Sequence, residues 1–167
     1  MLLMGMYIIS SSMIKNEVVD DNTVEVVEKQ SEIYDNSIYK FQLVNLDGEY
    51  ESLSDFKDKR LFINIWATWC GPCKAELPEI EALSNNRDDI IVIGIEAGGA
   101  DLDEIKEFTD KNGLTYKILV DNTGEFINWL GVQAFPTTII VDEHGEIVNA
   151  RVGSMSYQDM EGLIVEK

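Results

Sequence analysis

The chain has two cysteines in 167 residues, and both stand in Trp66-Ala67-Thr68-Trp69-Cys70-Gly71-Pro72-Cys73-Lys74. An apolar stretch, Leu61 to Ile65, precedes them and a helical pattern follows. Two thiols so spaced between a strand and a helix can exchange a disulfide with another protein. Cys70 is expected at the helix N-terminus, where unpaired backbone N–H groups and the helix dipole favour an anion. Its pKa is then expected nearer ~7 than the ~8.5 of a free thiol. Pro72 suits the first helical turn, where a missing N–H costs nothing. Cys73, one turn in, is placed to attack a mixed disulfide formed at Cys70. Two other uses of the pair stand beside this one. A zinc site needs about four ligands, and the one other strong candidate is His144, in the turn-like Asp142-Glu143-His144-Gly145. A purely structural disulfide would close a loop too short to restrain much of the unfolded chain.

The longer run from Trp66 to Pro78 resembles the active-site signature of the thioredoxin superfamily. Its Glu76-Leu77-Pro78 ending is similar to the TlpA/ResA-like branch of extracytoplasmic thiol–disulfide oxidoreductases. The resemblance resumes at Gly131-Val132-Gln133-Ala134-Phe135-Pro136-Thr137-Thr138 and spans residues 38–167. It implies a thioredoxin-like α/β fold, a central mixed sheet flanked by helices, with an N-terminal β-hairpin and an inserted strand–helix unit. It implies a cis Phe135–Pro136 bond facing the dithiol, and substrate contacts from Trp69, Gly71, Pro72, Phe135 and Pro136. Gly71-Pro72 is similar to the dipeptide of reducing thioredoxins, so the implied activity is reduction of protein disulfides, with Cys70 attacking and Cys73 resolving. No metal and no cofactor are implied beyond the redox-active Cys70–Cys73 disulfide. The implied partners are protein disulfides and an upstream thiol electron donor, in the family often a membrane thiol–electron carrier, with apocytochrome c among the family's substrates. A monomer is expected.

Glu76 follows Cys73 by three positions, so on a helix the two project to one side. A solvated helix-face carboxylate is the plain alternative. By resemblance Glu76 lies near the dithiol and tunes its acidity, raising thiol pKa by like-charge repulsion or passing a proton to Cys73. Asn64 departs from thioredoxins proper, which carry an aspartate there as proton acceptor. An amide cannot titrate, so Glu76 or water must take that role. Lys74 is expected either to hold the Cys70 thiolate or to point to water. Trp69 is expected as an exposed platform, Trp66 and Trp129 as packing.

The elements that must position these residues can be read from periodicity. Tyr39–Val44 and Glu49–Ser52 are expected as a hairpin about Asn45-Leu46-Asp47-Gly48, followed by one helical turn at Leu53–Phe56. Lys59–Trp66 is expected as a buried central strand, apolar on both faces. A helix from Pro72 to about Leu83 contains Pro78, where a kink is expected. Ile90–Ile95, a helix from Asp101 to Lys111 stopped by Gly113, and Leu114–Val120 complete the inserted unit. A short helix at Glu125–Leu130, a hairpin of Thr137–Val141 with Glu146–Val152, and a final helix from Ser156 close the domain. Gly98-Gly99 reads as a turn before a cap.

The net charge of −18 argues against nucleic acid and anionic membrane surfaces as partners. Seven acidic residues between Glu17 and Asp35 face a lone Lys29, so residues 15–37 read as an acidic flexible tether. Residues 1–14 are apolar apart from three serines, shorter than the ~20 residues that cross a bilayer. They read as an export or membrane-anchor remnant, or else as a segment disordered or packed on the domain. Residues 38–167 are the expected domain. Two rival functions are tested by the residues. A thiol peroxidase of related fold would need proline at 63 and threonine at 67, where Ile63 and Ala67 stand. A Cu(I)-binding or metallochaperone-type module can use a soft Cys-x-x-Cys pair, but metallochaperones of similar fold use Cys-x-x-x-Cys plus a distant histidine, and the spacing here is one short.

Overall fold

The structure is a computed structural model that describes residues 37–165; the apolar segment 1–14 and all of the tether except Ser37 lie outside the described residues. Seven strands form one mixed sheet in the order β2-β1-β5-β4-β3-β6-β7. They are β1 (Gln42–Asn45), β2 (Tyr50–Ser52), β3 (Leu61–Trp66), β4 (Ile91–Glu96), β5 (Lys117–Val120), β6 (Thr137–Val141) and β7 (Ile147–Val152). The helices are α1 (Gly71–Asn86), α2 (Leu102–Asn112), α3 (Glu125–Leu130) and α4 (Tyr157–Val165). Strands β3, β4 and β5 are parallel, β6 runs antiparallel to β3, and the β1–β2 hairpin attaches antiparallel to β5. This is the expected thioredoxin-like arrangement.

The two faces of the sheet follow from alternation along β3. Phe62 and Trp66 pack beneath α1, α2 and α4 with Ile80, Leu83, Ile105 and Met160. Leu61, Ile63 and Ile65 turn to the opposite face, against Ile38, Leu53 and Phe126. All six residues of β3 are buried, as an interior strand covered on both faces requires. One position on the α1 face is polar: Asn64, in register with Gly94 of β4 and Thr138 of β6.

Several boundaries move from those read in the sequence. Tyr39 and Lys40 lie in a 3₁₀ turn, Ile38–Lys40, capped by the Ser37 hydroxyl accepting from the Tyr39 N–H, so β1 begins only at Gln42. The β5 strand starts at Lys117 because Glu81 takes the backbone N–H and hydroxyl of Thr115, drawing that residue to α1. α1 runs on to Asn86 and continues through Pro78.

Candidate active site

Cys70 is the N-cap of α1, with extended backbone angles, and is disulfide-bonded to Cys73 with a Cα–Cα distance of 5.3 Å. Its Sγ accepts the Cys73 backbone N–H at 3.2 Å. That is the position where the first-turn N–H groups and the helix dipole stabilise a negative sulfur. An attacking thiol should be open to a partner and a resolving thiol shielded, yet in the disulfide form both are buried, 5 % and 1 % exposed. The neighbours of Cys70, not its own area, make the asymmetry. Cys70 lines a groove of about 540 Å³ with Trp69, Gly71, Pro72, Val132, Gln133, Ala134 and Phe135, and Cys73 is not part of that lining.

The far wall of the groove is the segment before β6. The Phe135–Pro136 bond is cis. Thr137 Oγ1 donates to the Ala134 carbonyl at 2.7 Å, and the Pro136 carbonyl accepts from Gly153 at 2.8 Å. Of the two residues expected to meet substrate here, Phe135 lines the groove and Pro136 is buried behind it. Opposite stands Trp69, 66 % exposed, its ring 5.8 Å from that of Phe135.

Glu76 lies on the buried face of α1 and is 1 % exposed, so it is not a solvated carboxylate. Asn64 Nδ2 donates to its Oε1 at 2.8 Å, and the Met155 N–H to its Oε2 at 3.0 Å. Burial pushes the Glu76 carboxyl above its ordinary value, and the two hydrogen bonds pull part of the way back. Asn64 also donates to Thr138 Oγ1 at 3.0 Å. The amide that cannot titrate therefore serves as a donor that holds the carboxylate that can. Of the two expectations for Lys74, the structure agrees with exposure to water; its Nζ also lies 5.6 Å from the Phe108 ring centre, a cation–π contact. Trp66 is buried and stacks on Phe108, while Trp129 packs with Phe41 and Lys40 away from the groove.

Sequence reasoning missed a second buried carboxylate. Glu96 ends β4 in register with Trp66, is fully buried, and accepts the Gly98 N–H at 2.9 Å. Burial pushes its carboxyl up; the N–H groups of Gly98, Thr68 and Ala100 counter this, and nearby Glu104 adds to it. Thr68 in turn donates to Glu104 at 2.6 Å. The available signal was a charged residue closing the otherwise apolar run Ile91–Ile95. Among the described residues no group of three or more His, Cys, Asp or Glu side chains is placed to hold a metal, and His144 lies in an exposed turn.

Residues 19–164 match the Redoxin family. The thioredoxin-like protein YneN of Bacillus subtilis is 39 % identical over 124 residues, 72 % of each chain. The thiol-disulfide oxidoreductase ResA of Halalkalibacterium halodurans is 35 % identical over 123 residues, covering 72 % of this chain and 69 % of the relative. Among solved structures, the pneumococcal exposed lipoprotein thioredoxin Etrx1 of Streptococcus pneumoniae superposes with a TM-score of 0.60 at 29 % identity, covering 74 % of this chain and 98 % of that one.

Proposed function

The chain belongs to the Redoxin family, in the TlpA/ResA-like branch of the thioredoxin superfamily, and is a dithiol oxidoreductase; from that premise we propose that it reduces disulfides of extracytoplasmic proteins. The observation that carries the reading is the placement of Cys70 at the mouth of an uncharged groove, capping a helix N-terminus. In the reduced enzyme the Cys70 thiolate attacks one sulfur of the target disulfide. The target S–S bond breaks, its second sulfur leaves as a thiolate and takes a proton, and a mixed disulfide forms. Cys73 loses its proton to Glu76 or water and attacks the Cys70 sulfur. The first target sulfur is released as a thiol, and the Cys70–Cys73 disulfide closes. Two electrons have passed to the target. An upstream thiol donor, of the kind membrane thiol–electron carriers supply, restores the dithiol.

Trp69, Gly71, Pro72 and Phe135 hold the target chain beside Cys70, and Pro136 fixes the backbone behind them. The site requires no metal and no cofactor beyond its own disulfide, and the enzyme acts as a monomer. The extracytoplasmic location is supported by the ResA relatives and by a structural neighbour described as an exposed lipoprotein. Residues 1–14 would carry the export or anchoring function, with 15–37 as tether and 38–167 as catalytic domain. Among the described residues no helix is long and apolar enough to cross a membrane. Among the described residues no His, Asp or Glu joins the two cysteines as a third ligand for Cu(I).

Trapping tests the proposal. Cys73→Ser should accumulate mixed disulfides with protein substrates, and Cys70→Ser should accumulate none. Trapping through Cys73 instead would reverse the roles. A dithiol reduction potential near that of strong oxidants, about −120 mV, in place of a reductant's, about −270 mV, would overturn the direction.

A further inference from the structure

Trp69 presents an indole to solvent at the rim of the groove, yet it is held. Its Nε1 donates to the Gly98 carbonyl at 3.2 Å, and its ring meets Phe135 at 5.8 Å and 60°. An indole fixed in this way is placed only as well as the carbonyl that receives it. Gly98 lies in the link between β4 and α2, and the group that anchors this link is Glu96. The buried carboxylate accepts the Gly98 N–H at 2.9 Å. Its other oxygen, Oε2, is buried without a hydrogen-bond partner. One buried side chain thus holds the backbone of the residue whose carbonyl receives the indole. Gly98 permits the convergence: a Cβ there would collide with the Ala67 methyl and come within 2.8 Å of both Glu96 Oε1 and Trp69 Nε1. A buried carboxylate is costly unless its hydrogen bonds repay the lost solvation. An apolar residue would have continued β4 more cheaply.

We infer that Glu96 and Gly98 are positioning residues for substrate: they set where Trp69 stands against Phe135, and so the grip of the groove on the residues flanking a target cysteine. The inference rests on the reading of the groove as the substrate's seat. Its first test does not depend on activity. The chain has three tryptophans, and the indole N–H signal of Trp69 is identified by its loss in Trp69→Phe. Glu96→Met and Gly98→Ala should shift that signal and speed its solvent exchange about fivefold, the effect of losing one exposed hydrogen bond, while the Trp129 signal stays in place. Glu96→Gln, which keeps one acceptor oxygen, should move it less in the same direction, and decides the matter if the other two do not fold. In turnover of a peptide disulfide, the folded variants should raise KM about fivefold with kcat within about twofold. In a Trp69→Ala background the same substitutions should change KM no further, because their effect passes through the indole. An unmoved Trp69 signal, or KM penalties that multiply in the Trp69→Ala background, overturns the inference. Absence of turnover in the wild type would overturn the proposed function instead, and the indole measurement would still decide the positioning.

Discussion

Glu76 has one donor on each oxygen, Asn64 Nδ2 and the Met155 N–H, and almost no solvent. Its carboxyl therefore keeps a proton above the ordinary 4.5, with burial as the largest cause. The folded state binds this proton more tightly than the unfolded chain does. The stability it confers is complete below the unfolded value and is lost as pH rises through the folded pKa. Glu76→Gln removes that dependence. In urea unfolding of the oxidised protein, the variant should gain on the wild type as pH is raised from about 4 to about 8. A constant difference across that range would mean the carboxyl titrates as it does in water. The chemical counterpart is read in the reduced protein. An ionised Glu76 one turn from Cys73 repels a second negative charge, so Glu76→Gln should move thiolate formation, followed by its ultraviolet absorbance, to lower pH. Superimposed titrations would remove Glu76 from the proton transfers.

Helix α2 is held at both ends by its own sequence. Asp101 accepts the Glu104 N–H at 2.8 Å, and Gly113 closes the helix in the left-handed conformation at φ 63°. Its buried side supplies Ile105 and the Phe108 ring that stacks on Trp66. Glu104, in the capped turn, receives the Thr68 hydroxyl. Asp101→Ala should lower stability by about 1 kcal/mol, the usual cost of an N-cap, seen as a lower urea midpoint with an unchanged slope. These ends were legible in the sequence because caps and stops act locally. The dithiol loop was legible in its own residues, and the cis proline and the mixed sheet through the resemblance, whose two motifs stand far apart in the chain and meet at the groove. The partners of buried polar groups were not. Nothing near Asn64 in sequence announces Glu76 and Thr138 as its acceptors, and nothing near Thr68 announces Glu104. Such pairings depend on which strands lie side by side and which helix crosses them. Leu114 and Thr115 fail as strand for the same reason: their alternation is real, but a carboxylate on α1 claims Thr115 first.

At the scale of the whole molecule, charge and contact separate. The chain carries 31 acidic residues against 13 lysines and arginines. The groove itself is lined by Trp69, Cys70, Gly71, Pro72, Val132, Gln133, Ala134 and Phe135, none of them charged. The field should therefore act on approach and leave the bound complex nearly indifferent to the charge of the target. Peptide disulfides flanked by lysine or arginine should be reduced with a kcat/KM about tenfold higher at low salt than peptides flanked by aspartate or glutamate. Most of that preference should vanish by about 0.5 M salt, where the screening length falls well below the ~10 Å of 0.1 M. Their kcat values should stay together throughout, since resolution by Cys73 occurs after encounter. Stopped-flow reduction of matched basic and acidic peptides across a salt series measures all three quantities. A preference that survives at high salt, or that appears in kcat, would place charge recognition inside the groove, where the lining offers no charge to supply it.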